Sequence, residues 1–251
     1  MFFYKLITML LGLKRGTNHQ MLNHGKIISI SPAGYKIFYE LGICKYIKEN
    51  YNLRDYSFTG ASAGSFVGLV FCFKRDFSEI QRKVLDNSIM ETKTIRELAN
   101  LVKGKILISF TEDDFELDRL HIGTTTISKF KMKTNIYSNF TDLEDAVDCC
   151  LASSHIPLIT GGITNIYKDV LTFDGGFSKY PYLLTPADSV LHITPEMWNK
   201  DEVTSTSKFF QAIDYSTLFS RERYNFNDMI KEGYKDSEDN KEYLDHIFKR
   251  K

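Results

Sequence analysis

The five residues at positions 60–64, Gly-Ala-Ser-Ala-Gly, constrain this chain more than any other stretch of its sequence. They follow a short strand candidate at residues 56–59 and precede an apolar stretch over residues 66–77 that is long enough for a buried helix. Small residues permit a tight, strained turn between a strand and a helix, and such a turn would push the hydroxyl of Ser62 out of the fold. The pattern G-x-S-x-G is weak alone, but this context indicates a nucleophile at the positive end of a helix.

Strands alternate with helices over most of the chain. Short apolar or alternating stretches predict strands at residues 26–31, 56–59, 120–126, 133–138, 171–173 and 190–194. Helical spacing of apolar residues predicts helices at residues 35–49, 66–77, 77–101 and 142–152, the last capped by Thr141, and a mostly helical stretch over 195–251. This alternation predicts a mainly parallel sheet that is covered by helices on both faces.

Composition argues against several other classes of protein. The 251 residues contain 32 basic and 32 acidic side chains, and a net charge of zero argues against a globally basic nucleic-acid binder. The four cysteines form no C-x-x-C pair and no H-E-x-x-H spacing occurs, so a zinc site is not expected. This cysteine usage fits buried thiols in a reducing compartment, and the length fits one domain.

The first 13 residues, MFFYKLITMLLGL, form an amphipathic segment. The apolar run is shorter than the ~20 residues that span a bilayer, and Lys5 and the lack of a small-residue cleavage site argue against a signal peptide. On a helical wheel Lys5, Thr8 and Gly12 share one narrow stripe, and apolar side chains cover the rest. Three alternatives remain open: a helix in a membrane interface with Lys14 and Arg15 at the headgroups, a helix packed on the domain's own core, and a signal-anchor.

A serine nucleophile needs a base, and the sequence offers two kinds. One is a histidine that follows Asp174 in the order Ser…Asp…His, which would be His192 or His246. His192 lies inside an apolar strand and His246 in a charged terminal stretch, so a structural or solvated role explains both, and His121 and His155 also look structural. The other base is Asp174 itself, which opens an Asp-Gly-Gly turn after an apolar strand, where catalytic groups of open sheets gather.

The two motifs and the segments around them resemble the patatin-like phospholipase family. Residues 60–64 look like that family's nucleophile elbow, and residues 174–176 look like its D-G-G/A motif. The stretches LHIGTTT at 120–126 and ASSHIP at 152–157 look like its central strand and the segment before its catalytic aspartate. SPAGYK at 31–36 takes the place of its glycine-rich oxyanion loop and the basic residue that follows. These segments, which occur in the order typical of the family, are a far more specific sign of the resemblance than either motif alone.

The resemblance implies a three-layer α/β/α fold with a mainly parallel central sheet, and a lipid acyl hydrolase of the phospholipase A or acylglycerol lipase type. Ser62 would attack the ester and form a covalent acyl-enzyme, and Asp174 would accept the serine proton, without a metal or cofactor. The groups implied to bind the oxyanion and support the site are the backbone N–H groups of Ala33, Gly34, Tyr35 and Ala63 and the residues Lys36, Gly60, Gly64, Gly175 and Gly176.

The same resemblance suggests the partners and the division of the chain. The expected partner is a lipid substrate in a membrane or lipid droplet, with no nucleic acid and with peripheral membrane contact through Met1–Arg15. A cytoplasmic location, peripheral on membranes or lipid droplets, is expected. Residues 26–190 would form the catalytic domain, residues 1–25 an amphipathic segment and linker, and residues 191–251 a helical extension packed on or trailing the domain.

The oxyanion loop departs from the family pattern. Where the family has a run of glycines, this chain has Pro32-Ala33-Gly34. Proline has no N–H to donate, and alanine resists positive φ. Catalysis would be impaired if Pro32 replaced a donor, whereas little would be lost if it only preceded the donors. One alternative function is therefore a non-catalytic lipid- or membrane-binding protein on the same fold, and another is an esterase with a histidine triad.

Overall fold

The stretches predicted as strands form one sheet in the computed structural model, which describes residues 14–15, 26–128, 131–178, 189–198 and 225–251. The strands are β1 (Lys14–Arg15), β2 (Lys26–Ile30), β3 (Tyr56–Ala61), β4 (Leu120–Ser128), β5 (Lys131–Tyr137), β6 (Asn165–Tyr167), β7 (Val170–Phe173) and β8 (Ser189–Ile193). The helices are α1 (Ile37–Asn50), α2 (Ala63–Cys72), α3 (Phe77–Lys83), α4 (Asn87–Met90), α5 (Ile95–Ser109), α6 (Leu143–Ser153), α7 (Phe226–Asp239) and α8 (Lys241–Ile247).

The sheet is mixed and mostly parallel. Its strand order is β1-β5-β4-β3-β2-β8; β2, β3, β4 and β8 run parallel, and β5 and β7 pair antiparallel with β4. Helices flank the sheet, so the predicted three-layer α/β/α fold is confirmed. Ala61 at the end of β3 pairs with Gly123 in β4. The carboxyl end of β3 thus lies beside Gly123 of its parallel neighbour β4, and open sheets hold their sites at the carboxyl ends of such strands.

The hydrophobic core lies between the sheet and the helices packed on it. Phe58 of the central strand β3 is fully buried, and α2 packs across β2, β3 and β4. Helix α7 packs on α1, where the rings of Phe38 and Phe226 stack with centroids 3.7 Å apart. A Cβ atom at Gly233 of α7 would lie 2.1 Å from the carbonyl oxygen of Tyr39, so glycine is required for this close approach. The helices α7 and α8 therefore cover α1 and its surroundings.

Two helix predictions are wrong in part, because side-chain caps begin helices at residues that were not predicted to begin them. The stretch predicted as one helix at 77–101 forms three helices, α3, α4 and α5, because Asp86 and Thr94 each accept a backbone N–H as the N-cap of a new helix. Helix α6 is capped by Asp142 rather than Thr141, because the Asp142 carboxylate accepts a backbone N–H of the first turn. In both cases the side chain of one polar residue decides where a helix begins.

Two further boundaries differ from the prediction. The apolar helix expected to continue to residue 77 ends at Cys72, because Phe73 is extended and forms a β-bridge with Phe115. The helix predicted at 35–49 is preceded by a 3₁₀ turn, Gly34–Lys36, which leads into α1. Gly34 at the start of this turn lines the same cavity as Ser62.

Several expectations fall on residues that the structure does not describe. The amphipathic segment at 1–13, the linker at 16–25 and residues 199–224 of the extension lie there. Lys14 and Arg15 are described as strand β1, which pairs parallel with β5. The domain boundary expected at residue 190 falls inside β8, a strand of the sheet. In the described parts of the chain, no helix has both the length and the apolarity that a membrane crossing requires.

Candidate active site

Ser62 makes the whole turn between strand β3 and helix α2, since β3 ends one residue before it and α2 begins one residue after it. Its φ of 53° and ψ of −132° are strained for a residue other than glycine and cost about 1–3 kcal/mol. A Cβ atom at Gly60 would lie 2.3 Å from the Gly64 carbonyl oxygen, and one at Gly64 would lie 2.4 Å from the Ser31 carbonyl oxygen. Glycine at both positions is therefore a steric requirement of this sharp turn.

Asp174 lies where strand β7 ends and a 3₁₀ turn, Gly175–Phe177, begins. Its Oδ1 accepts the backbone N–H of Gly176 at 2.7 Å, and its own N–H donates to the carbonyl oxygen of His155 at 2.7 Å. A Cβ atom at Gly175 would lie 2.3 Å from the carbonyl oxygen of Gly123, so the turn passes directly over Gly123 of β4. Both the backbone and the carboxylate of Asp174 are thus held by backbone groups.

The structure brings these two residues together across 112 positions of sequence. The Ser62 hydroxyl donates a hydrogen bond to Oδ2 of Asp174 at 2.6 Å. Ser62 is 8% exposed and Asp174 is 4% exposed. Burial raises the pKa of Asp174 to about 6, although the hydrogen bonds from Ser62 and Gly176 act in the opposite direction. At neutral pH the carboxylate is charged and is a stronger base than an exposed aspartate.

The two histidines that were candidates for the base, His192 and His246, lie elsewhere. Nδ1 of His192 is 2.8 Å from the Ser29 hydroxyl on strand β2, and burial lowers the pKa of His192 to about 4. His246 faces its own helix, near the carbonyl oxygen of Glu242. Among the histidines in the described residues, none has a ring nitrogen hydrogen-bonded to Ser62 or Asp174. The arrangement therefore favours the carboxylate over a histidine as the partner of the serine.

The loop before α1 presents backbone donors to the same cavity as Ser62. The N–H groups of Ala33, Gly34 and Ala63 donate to no acceptor among the described residues, and all three residues line that cavity. Gly34 has a φ of 55°, whereas Ala33 has a φ of −133°. Glycine therefore stands where a positive φ is needed, and alanine stands where it is not. Pro32, which has no N–H, precedes these donors.

Tyr35, whose backbone N–H was predicted as a further oxyanion donor, and Lys36, which was predicted to support the loop, are not among the residues that line this cavity. Tyr35 is buried in the core, with its ring centroid 5.7 Å from that of Phe226, and it does not line the cavity. The Lys36 ammonium forms a salt bridge with Glu196 at 2.6 Å, and Lys36 does not line the cavity either. The salt bridge links the loop to the segment after β8.

An apolar cavity of about 380 Å³ adjoins the Ser62–Asp174 pair. Apolar side chains from α1, α2, α3, α5 and the neighbouring loops form most of its wall: Ile37, Leu41, Phe66, Leu69, Val70, Ile80, Val84, Leu85, Ile95, Leu98, Val102, Ile106, Phe115 and Ile156. Its volume falls within the range of about 300–1,000 Å³ typical of small-molecule sites. A hydrocarbon chain fits such a wall, and an ester attached to that chain would meet the Ser62 hydroxyl.

One contact at this site was not predicted from the sequence. The backbone N–H of Ser62 donates to the hydroxyl of Ser153, at the end of α6, at 2.7 Å. Ser153 belongs to the ASSHIP stretch that sequence analysis singled out, but nothing in that stretch indicates a contact 91 residues away. Within the described residues, no group of three or more His, Cys, Asp or Glu side chains is placed to hold a metal ion.

Comparison with models of protein families identifies the family of this chain. The family model of patatin-like phospholipases matches residues 28–188, which is more than half of the chain and contains both Ser62 and Asp174. No curated protein sequence matches the chain.

Proposed function

Because this chain belongs to the patatin-like phospholipase family, we propose that it is a lipid acyl hydrolase of the phospholipase A or acylglycerol lipase type that acts through Ser62 and Asp174. The observation that carries the proposal is the 2.6 Å hydrogen bond from the Ser62 hydroxyl to the buried Asp174 carboxylate. The apolar cavity beside this pair supports a substrate with a fatty-acyl chain.

The proposed reaction has two halves. In the first, Asp174 accepts the proton of Ser62 as Oγ attacks the ester carbonyl carbon. The alcohol then leaves with that proton, and the acyl group stays on Ser62. In the second half, Asp174 accepts a proton from water as the water oxygen attacks the acyl-enzyme. The fatty acid departs, and the proton returns to Ser62 Oγ.

The free N–H groups of Ala33, Gly34 and Ala63 are proposed to stabilise the oxyanion in both halves of the reaction. Two observations support this role. The three N–H groups are unpaired in the described part of the chain, and their residues line the same cavity as Ser62. Loss of one such donor costs on the order of 10²–10³ in rate. Because Pro32 stands before these donors rather than among them, the loop supports an active enzyme over a non-catalytic lipid-binding protein.

The proposal is tested by offering lipid esters to the purified chain. We expect fatty acid to be released from phosphatidylcholine vesicles or from a triacylglycerol emulsion, measured by titration of the released acid. The chain should also form a covalent adduct with a fluorophosphonate, which reports the nucleophile without a choice of lipid. Lipid binding with neither release nor an adduct would favour the non-catalytic alternative.

A lipid-embedded substrate requires contact between the protein and a lipid surface, and one segment near the cavity suits this contact. Leu158 and Ile163 are 68% and 69% exposed, while Thr160, Gly161 and Gly162 between them line the cavity. Burying one such aliphatic side chain stabilises binding by about 1.5–3 kcal/mol, and 1.4 kcal/mol corresponds to a tenfold change. We therefore propose that this segment rests on the lipid surface during turnover.

The double variant Leu158→Ser/Ile163→Ser tests this contact. We expect hydrolysis of vesicle phospholipid to fall at least ~10-fold because less apolar surface enters the lipid. Hydrolysis of a soluble short-chain ester should stay within about twofold, since neither side chain lines the cavity. Ile108→Ser is the matched control, because Ile108 is 88% exposed but lies near the end of α5. Equal losses in the control and the double variant would contradict a specific lipid contact at this segment.

A further inference from the structure

A single buried hydroxyl connects the Ser62 turn to the sheet. Ser153, the last residue of α6, is 0% exposed. Its Oγ accepts the backbone N–H of Ser62 at 2.7 Å and donates to the carbonyl oxygen of Gly123 at 2.6 Å. The serine hydroxyl thus serves as acceptor and donor at once, which matches the two backbone groups it meets.

The turn needs such a partner because of its position between two regular elements. Ladder pairing between β3 and β4 stops at Ala61 and Gly123, and helix α2 starts only after Ser62. The N–H of Ser62 therefore has no place in the ladder or in the helix, and an unpaired buried N–H would cost about 1–3 kcal/mol. The φ of 53° at Ser62 is itself strained and persists only when surrounding contacts hold it.

The same hydroxyl also adjoins the turn that carries Asp174. A Cβ atom at Gly175 would lie 3.2 Å from Ser153 Oγ and 2.3 Å from the Gly123 carbonyl oxygen. Three backbone segments therefore meet at Ser153: the Ser62 turn, Gly123 of β4 and the Asp-Gly-Gly turn. A change at this point acts on the relative position of the two turns.

We propose that Ser153 is a positioning residue whose hydroxyl holds Ser62 in its strained conformation and thereby keeps Ser62 Oγ aligned with Asp174. This inference rests on the proposed function, because it assigns a role relative to the Ser62 nucleophile. Ser153 touches neither the carboxylate of Asp174 nor, by its place behind the turn, the substrate cavity. Loss of the Ser153 hydroxyl should therefore lower the rate of attack by Ser62 and leave substrate binding unchanged.

The test compares Ser153→Ala with Ser237→Ala in the full chain. Ser237 is equally buried, but its hydroxyl bonds only to the carbonyl oxygen of Gly233 within α7, at 2.8 Å. For each variant the melting temperature, kcat and KM for p-nitrophenyl butyrate and the rate of fluorophosphonate labelling are measured. In Ser153→Ala we expect kcat and the labelling rate to fall about 100-fold, because a shift of about 1 Å at the nucleophile has this effect. KM should stay within about threefold of that of the wild type.

The pH profile and a conservative variant separate positioning from packing. In Ser153→Ala the plateau of kcat should drop and the inflection should move above about pH 6, because a misaligned Ser62 no longer donates the hydrogen bond that lowers the pKa of Asp174. Ser153→Thr keeps the hydroxyl, so its kcat should be at least ~10-fold higher than that of Ser153→Ala. If Ser153→Ala does not fold, Ser153→Cys takes its place, since a thiol keeps the bulk but hydrogen-bonds only weakly.

Two results would overturn the role of Ser153 while leaving the proposed function intact. One is a Ser153→Ala enzyme that reacts at the rate of the wild type or of Ser237→Ala. The other is an equal loss in Ser153→Ala and Ser153→Thr, which would assign the effect to packing rather than to the hydroxyl. A wild-type chain that is not labelled by the fluorophosphonate would instead contradict the proposed function itself, and the role of Ser153 would fall with it.

Discussion

Ser62→Ala is expected to abolish ester hydrolysis and fluorophosphonate labelling while the chain stays folded. The substitution removes the atom that forms the acyl-enzyme, and loss of a serine nucleophile lowers kcat by about 10⁴-fold or more. The backbone N–H that Ser153 accepts remains, as do the glycines that permit the turn, so the structure around position 62 is retained. Residual hydrolysis and adduct formation are measured on the same folded preparation.

A buried serine outside the site provides the control for this result. Ser237→Ala removes a hydroxyl that bonds only within α7 and should leave both labelling and turnover close to those of the wild type. Circular dichroism and the melting temperature show whether Ser62→Ala is folded. Turnover of folded Ser62→Ala at the wild-type rate would exclude Ser62 as the nucleophile and, with it, the proposed mechanism.

Asp174→Asn is expected to lower kcat by about 10²–10⁴-fold, the contribution of a positioned general base. The substituted amide can accept the Gly176 N–H with its oxygen and donate to Ser62 Oγ with its nitrogen, so the hydrogen-bonding geometry at both contacts is preserved. An amide cannot accept the serine proton, so attack by Ser62 loses its base. The loss is measured as kcat for a soluble ester at about pH 8.

The pH dependence of wild-type activity tests the same role of Asp174 as the base. Burial raises the pKa of Asp174 to about 6, so activity should fall as the pH is lowered through about 6 and the carboxylate takes up a proton. For stability the sign is opposite, because a raised carboxyl pKa favours the folded state at low pH, and this contribution is lost as the pH rises through about 6. Asp174→Asn should therefore melt no lower than the wild type at about pH 8.

His192→Gln distinguishes the aspartate from a histidine base. His192 contacts Ser29 on strand β2, away from the Ser62–Asp174 pair, so its replacement should leave kcat within about threefold of that of the wild type. Loss of activity in His192→Gln together with a fully active Asp174→Asn would reverse the assignment and favour a histidine-dependent esterase.

The buried carboxylate explains how a base of this kind can act without a histidine. An exposed aspartate is a weak base, whereas the low-polarity surroundings of Asp174 bring its pKa closer to neutral pH, where proton transfer is most effective. The hydrogen bonds from Ser62 and Gly176 keep the charged form accessible. Burial and hydrogen bonding thus act in opposite directions on one side chain, and their balance sets the pH range in which the site can work.

The sequence alone determined the two turns and the layered α/β fold, because both depend on local requirements. The requirement for glycine at position 60 is local, because a Cβ atom there would lie 2.3 Å from the Gly64 carbonyl oxygen in the same turn. Apolar periodicity within each element identified the strands and most helices. It failed at residues 77–101, where apolar residues keep their spacing across helix ends that Asp86 and Thr94 decide.

Only the tertiary structure decided which groups meet. The distance between Ser62 Oγ and Asp174, the tie from Ser62 to Ser153 and the wall of the cavity all join segments roughly 90 or more residues apart or several helices at once. The pKa of Asp174 likewise depends on how completely these segments exclude water. A local pattern predicts the secondary structure of one segment. The distance from Ser62 to Asp174 and the burial and pKa of Asp174 arise only when separate segments pack against one another.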